Sequence, residues 1–286
     1  MTSWLERLPL IRTLLASGNA AAASARWQRE LLTLAADAAT RDILAGARYQ
    51  DARRLNRYEA QVFSQSGEDG IIGEIFRRIG STDRRFVEIG VGDGLENNTS
   101  YLLARGWRGA WLEGNGAALA DARRHFATPL QRGDLMIQET VVTAESAGAT
   151  LTALGIPAEL DLLSIDVDRN TWYIWKALGA WRPRVVVVEY NGTVPASDEW
   201  VVAYDPAKQW NGTNYFGASL KSYEVLAREL GYALVGCGLA GMNAFFVRED
   251  LLGHHFLAPY TSENHHEPPR YWLARVRSGH RRCFSD

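Results

Sequence analysis

The sequence predicts an α/β domain on a mostly parallel sheet of seven strands, closed by a terminal antiparallel hairpin and preceded by a helical appendage. Three observations predict it. Short apolar, β-rich runs alternate with helical patterns: Arg85–Ile89, Gly109–Glu113, Met136–Val142, Leu160–Asp166 and Arg184–Tyr190. Such alternation is the pattern of parallel strands joined by crossover helices. The first run feeds a turn with glycine at every second position, Phe86-Val-Glu-Ile-Gly-Val-Gly-Asp-Gly94. Finally, a helix around Ala218–Leu230 leads to Tyr232–Cys237, and Gly238-Leu-Ala-Gly241 leads straight on to Asn243–Val247. A parallel crossover takes a dozen residues or more, so these last two strands pair antiparallel.

Residues 1–58 read as helical throughout, alanine-rich from Ala20 to Ala45, and form the appendage. Trp4, Leu5, Leu8, Ile11, Leu14 and Leu15 recur there at helical spacing. They predict an amphipathic helix that packs on the domain or on a second copy of the chain, with a membrane surface as the lesser reading. Packing on a second copy would make a homo-oligomer through these helices. Glu6, Arg7 and Arg12 interrupt the apolar core that a signal peptide requires. No apolar run approaches the roughly 20 residues of a bilayer span. Residues 59–250 are the expected catalytic domain and 251–286 a tail or lid.

The 286 residues, 47% hydrophobic and 22% charged, suffice for one large domain with additions. A net charge of −2 gives no electrostatic reason to expect nucleic acid as a partner. Cys237 and Cys283 cannot form a disulfide framework and fit a reducing cytoplasm.

The glycine turn points to a nucleoside-like cofactor. Gly90, Gly92 and Gly94 leave no Cβ to block a ligand lying on the main chain, at the strand end where open α/β sheets bind their ligands. The dinucleotide fingerprint G-x-G-x-x-G needs glycine at position 95, where this chain has Leu95. Glu88 stands two residues before the first glycine; it either reaches a cofactor ammonium group or holds the loop. Glu113 ends the second strand, placed to accept both hydroxyls of a ribose. Asp134, before the third strand, is a candidate for the adenine amino group, with a surface turn as an equal reading. Asn98 and Thr99 open the next helix, where free N–H groups and the helix dipole favour a carboxylate.

Together with Phe63-Ser-Gln-Ser-Gly-Glu-Asp-Gly-Ile71, Asn97-Asn-Thr, Gly106-Trp-Arg-Gly, Trp111-Leu-Glu and Leu163-Ser-Ile-Asp-Val-Asp168, this turn resembles the FkbM-like methyltransferases over roughly residues 60–250. The resemblance implies the Rossmann-like class I methyltransferase sheet and S-adenosylmethionine (SAM) as cofactor. It further implies that Gln65, Glu68 and Asp69 line or close the cofactor pocket.

Asp166 and Asp168 at the end of the fourth strand, with Glu189 and Asn191 at the end of the fifth, overlook the expected methyl group. Asp166 is the first candidate for a base that takes an acceptor proton, Asp168 the second. The same four residues are candidate ligands for Mg²⁺, which prefers oxygen donors and acidifies a bound hydroxyl. For Asp168 a helix cap before Thr171 is an equal reading. Trp200 and Trp210 lie in a long loop among Asn-Gly-Thr turns, where flat aromatic faces stack on substrates. A small molecule or saccharide hydroxyl is the expected acceptor. His254-His255 and His265-His266 read as parts of an exposed tail or lid, and Arg275, Arg277, Arg281 and Arg282 as a solvated basic face. The rival readings are an NAD(P)-dependent oxidoreductase and a non-catalytic SAM-binding module.

Overall fold

The computed structural model describes residues 9–274 and 282–284. Its centre is one seven-stranded sheet in the order β3-β2-β1-β4-β5-β7-β6. The strands are β1 Arg85–Ile89, β2 Arg108–Glu113, β3 Leu135–Glu139, β4 Leu162–Ile165, β5 Val185–Glu189, β6 Tyr232–Cys237 and β7 Asn243–Arg248. The first five run parallel and β7 runs antiparallel to both neighbours. This is the class I methyltransferase sheet, as the sequence predicts. Because the chain leaves β1 on one side for β2 and later returns on the other as β4, a crevice opens at the carboxyl ends of β1 and β4.

The sequence folds this way because its strands are apolar on both faces. In β5, Val185 and Val187 pack into one core with Phe86, Leu162 and Phe245. Val186 and Val188 point to the other core, with Val87, Leu163 and Phe246. Alternation along the pleat sends successive valines to opposite sides, and helices cover both. One cover is α2 (Glu68–Ile79), with Glu68 and Asp69 in its first turn and Arg77 and Arg78 in its last, the placement the helix dipole favours. The other face is covered partly by α7 (Thr171–Ala177) and α8 (Leu220–Leu230), through Ile174, Trp175, Tyr223 and Leu226.

Three strands are shorter than expected: β3 stops at Glu139 rather than Val142, β4 spans Leu162–Ile165 rather than Leu160–Asp166, and β5 spans Val185–Glu189 rather than Arg184–Tyr190. The amino-terminal region is not helical throughout. Helix α1 (Pro9–Ala45) ends at Gly46, whose backbone is extended, and two 3-10 turns follow at Ala47–Tyr49 and Leu55–Tyr58. These turns dock on the body: Leu55 is buried, and the Asn56 amide donates to the Cys237 carbonyl at 2.7 Å. Trp4, Leu5 and Leu8 lie outside the described residues, as do the side chains of Ile11, Leu14 and Leu15. Among the described residues, no helix is long and apolar enough to cross a membrane.

The segment after β7 is folded onto the sheet edge, not wholly exposed. His265 is buried, with Nε2 at 3.0 Å from the Leu257 carbonyl. Buried Glu267 accepts from Tyr49 at 2.8 Å and Arg270 at 2.8 Å. His254 and His255 remain exposed.

The parallel pairing of β1 with β4 sets a strict demand at Gly90. Its φ is +85°, and a Cβ there would collide with the Asp166 carbonyl. Gly90→Ala is therefore expected to cost more than ~4 kcal/mol of folding free energy, the range of severe backbone and packing lesions; urea denaturation measures it.

Candidate functional site

The glycine turn lies open on one side. Gly92 has φ +56°, and a Cβ built on it would meet nothing within 4 Å. Its N–H donates to Glu113 Oε2 at 2.9 Å, and Glu113 Oε1 accepts from the Asn115 N–H at 2.8 Å. Glu113 thus ties the turn to the end of β2. A carboxylate has about four acceptor positions, so Glu113 retains capacity toward the open side. Gly94 is required for packing instead: a Cβ there would enter the rings of Trp111 and Phe126.

Glu88 lies beneath the turn, nearly solvent-free. Oε1 accepts from the Asn98 N–H at 2.9 Å; Oε2 accepts from the Thr99 N–H at 3.1 Å and the Thr99 hydroxyl at 2.5 Å. Burial, opposed by these bonds, pushes its pKa up to about 7. Of the two sequence readings, the geometry matches the one in which Glu88 holds the loop. The Asn98 amide donates to Ser164 at 3.0 Å, and Trp111 Nε1 donates to the Thr99 hydroxyl at 2.8 Å. Both side chains are committed to the protein interior. Glu68 is spent similarly, accepting from the Ser66 N–H at 2.8 Å, the Ser66 hydroxyl at 2.7 Å and Asn243 at 3.0 Å.

Beside the turn is a cavity of about 450 Å³, lined by Gln65, Asp166, Asp168, Glu189, Trp210 and Tyr271 among others. Carboxylate oxygens of Asp166, Asp168 and Glu189 all lie within 4.8 Å of one another. All three face the cavity; Asp166 and Glu189 are half-buried and Asp168 is exposed. Desolvation first, then the charge of Asp168, pushes Asp166 up to about 7. Glu189 is raised well above its ordinary value by desolvation and then by both aspartates, and Asp168 is raised by desolvation and Glu113. Glu189 Oε2 is buried without a hydrogen-bond partner. Asp168 holds φ +56°, in the left-handed region that aspartate enters more readily than most residues other than glycine. It does not cap α7, whose cap position is Asn170.

Three candidates lie elsewhere. Asp134 precedes β3 and lines a separate cavity with Arg85, Arg108 and Pro157. That is the amino end of the strands, opposite the glycine turn, so Asp134 does not face a ligand there. Asn191 is buried and saturated. Its amide donates to the Asn214 and Phe216 carbonyls at 2.8 and 3.0 Å, and its oxygen accepts from the Thr193 hydroxyl at 2.5 Å, leaving no metal ligand. Trp200 does not line the cavity; its ring packs on Tyr215 at 5.6 Å. Trp210 does line it, 49% exposed, with Nε1 bound to the Thr213 carbonyl at 2.6 Å.

Sequence reasoning misses Tyr271, Met242 and Phe216 on the cavity wall, which come from the tail, the hairpin turn and the loop before α8. It also misses Val141, 64% exposed beside Gly114 just past the end of β3. An apolar residue following a strand that ends beside Glu113 was the available signal. Arg275, Arg277 and Arg281 lie outside the described residues, whereas the Arg282 side chain is only 12% exposed, not part of a solvated face.

No protein-family model matches the chain, and no curated protein does. Solved structures similar to it include the methyltransferase domain of bacterial CtHen1, at 12% identity over 64% of this chain and 97% of that one, TM-score 0.40. Magnesium protoporphyrin IX methyltransferase (ChlM) from Synechocystis PCC 6803, with bound SAM, is 11% identical over 74% and 97%, TM-score 0.42. A SAM-dependent methyltransferase from Clostridium acetobutylicum ATCC 824 is 11% identical over 66% and 92%, TM-score 0.41. The class of fold rests on the strand order itself.

The raised pKa of Asp166 carries a sign. Its folded value, about 7, lies above its ordinary 3.8, so its contribution to stability is complete below about pH 4 and is lost as pH rises through 7. Asp166→Asn never ionises. The melting temperature of this variant is expected to exceed that of the wild type at pH 8, with the gap closing as pH falls to 4 in a thermal melt series.

Proposed function

We propose that this chain is a SAM-dependent methyltransferase that transfers the methyl group to an oxygen of a small molecule or saccharide, in the FkbM-like group. One observation carries the reading: the open glycine turn, bounded by Glu113, adjoins a cavity with three convergent carboxylates and exposed aromatic faces. The turn takes the cofactor, with Glu113 accepting from the ribose and Val141 offering an apolar surface to the base. Glu88, Glu68, Asn98 and Thr99 support this pocket by holding its loops rather than by touching the ligand.

Methyl transfer is an in-line displacement at carbon, so the protein must first align acceptor oxygen, methyl and sulfonium and exclude water. Such positioning supplies ~7–11 kcal/mol. A hydroxyl acceptor must also lose its proton. Asp166, with a pKa near 7, is matched to that task, while Trp210 and Tyr271 stack on the acceptor.

A second reading is favoured by the orphaned Glu189 oxygen. The carboxylates of Asp166, Asp168 and Glu189 fit a hard, oxygen-seeking cation such as Mg²⁺. When bound, such an ion lowers the pKa of an acceptor hydroxyl. In either reading the cavity presents acids to the acceptor side and leaves the turn to the cofactor. The nicotinamide-oxidoreductase alternative is opposed by Leu95 and by the antiparallel β7.

Calorimetry with S-adenosylhomocysteine is the primary test. Binding by the wild type, with no response to NAD(P), is expected; the reverse result sinks the proposal. Gly92→Val should fold yet lose this binding, because its side chain fills the open side of the turn. Asp166→Asn should keep cofactor affinity within a few-fold but lower kcat by ~10²–10⁴ with labelled SAM and a competent acceptor. Loss of wild-type turnover in EDTA, restored by Mg²⁺, selects the metal reading, whereas turnover indifferent to EDTA leaves Asp166 as base. A chain that binds cofactor but turns over no acceptor is a binding module.

A further inference from the structure

Two segments remote in sequence frame the proposed cofactor pocket. One, Val62–Ser66, carries Gln65 into the cavity; the other, Leu95–Thr99, leaves the glycine turn. Each is held from one side by a buried carboxylate. Asp69 Oδ2 accepts the N–H groups of Val62, Phe63 and Ser64 at 2.7, 2.7 and 2.8 Å, as Glu88 accepts those of Asn98 and Thr99. Carboxylates satisfy only donors. The carbonyls of these segments need donors of their own.

Arg282 supplies them to both segments at once. Its Nη1 donates to the Phe63 carbonyl at 2.7 Å and to the Leu95 carbonyl at 2.8 Å, and its Nη2 donates to the Ser64 carbonyl at 3.0 Å. The Glu96 carboxylate lies 3.6 Å away. Two residues on, the Phe284 ring sits 4.6 Å from Phe126 and 5.9 Å from Phe63. Phe126 packs edge-on to Trp111 at 4.6 Å, and these two rings occupy the space denied to a side chain at Gly94. Arg282 and Phe284 therefore brace the pocket walls from outside.

We propose that Arg282 is a positioning residue for the cofactor site, holding the Gln65 segment and the exit of the glycine turn at the spacing that the cofactor needs. The proposal rests on the SAM reading for its ligand. A planar guanidinium suits the task because its rigid fork presents several donors in fixed directions, whereas a lysine ammonium is a single point on a flexible stem. Two short loops without strand pairing are the kind of segment that opens locally. Ordering them before the ligand arrives removes a cost from binding.

Two measurements on wild type, Arg282→Ala and Arg282→Lys test this. Hydrogen exchange on the ligand-free full chain should show the amides of Val62, Phe63, Ser64 and Leu95 exchanging faster together in Arg282→Ala, with β1 and β5 unchanged. Calorimetry should show S-adenosylhomocysteine binding weakened on the order of ten-fold or more, with Arg282→Lys intermediate in both readouts. If Arg282→Ala does not fold, the lysine variant carries the comparison. Unchanged exchange at either segment overturns the proposal. Faster exchange with unaltered affinity overturns it too, reducing Arg282 to a packing residue. If wild type fails to bind S-adenosylhomocysteine, the methyltransferase reading falls, while exchange in the two segments still decides whether Arg282 joins them.

Discussion

Buried carboxylates that accept loop N–H groups are the interaction on which the rest of the site depends. Glu88, Asp69 and Glu68 each bind main-chain donors of an irregular segment, and the half-buried Glu113 binds the N–H of Gly92 from the open side. Irregular backbone near a sheet end cannot satisfy its own donors, and an unmet buried N–H costs ~1–3 kcal/mol. A charged acceptor meets two or three at once and fixes the segment's path. The consequence is a pocket whose floor consists of side chains withdrawn from ligand contact and whose surface is main chain, as Gly92 illustrates.

The acid cluster follows the opposite logic. Asp166, Asp168 and Glu189 converge with one buried oxygen unpartnered and one backbone angle left-handed. Glu88 offsets its burial with hydrogen bonds from the loop it holds, whereas Glu189 keeps a buried oxygen with none. Costs of this kind persist where chemistry needs them. The contrast between Glu88 and Asp166 is instructive because burial pushes both up to about 7. Glu88 has its acceptors filled by the protein, whereas Asp166 opens on a cavity. Geometry, not pKa, separates scaffold from candidate chemistry.

Much of the fold is legible in the chain because its signals are local. The valine run of β5, the glycine turn after β1 and the short link between β6 and β7 each state their consequence within a few residues. Strand ends are less legible: β3 stops at Glu139 because pairing with β2 stops at Glu113, a fact of the neighbouring strand. The helical appendage is shortened at Gly46, and the next residues are claimed by the sheet edge through Leu55 and Asn56.

Residue types and positions along the chain determine that a glycine turn exists, that it follows β1, and that acids stand at the ends of β2, β4 and β5. What those acids do is decided only in three dimensions, because it depends on which donors arrive from elsewhere. Thr99 makes Glu88 a tether, Thr193 and the carbonyls of Asn214 and Phe216 exhaust Asn191, and the start of β3 carries Asp134 to the wrong end of the sheet. Likewise Arg282, one arginine in a basic stretch of sequence, is a brace because Phe63, Ser64 and Leu95 turn their carbonyls toward one point. Hydrogen-bond partners remote in sequence leave no periodic trace, so the sequence names the polar groups and the tertiary fold assigns their work.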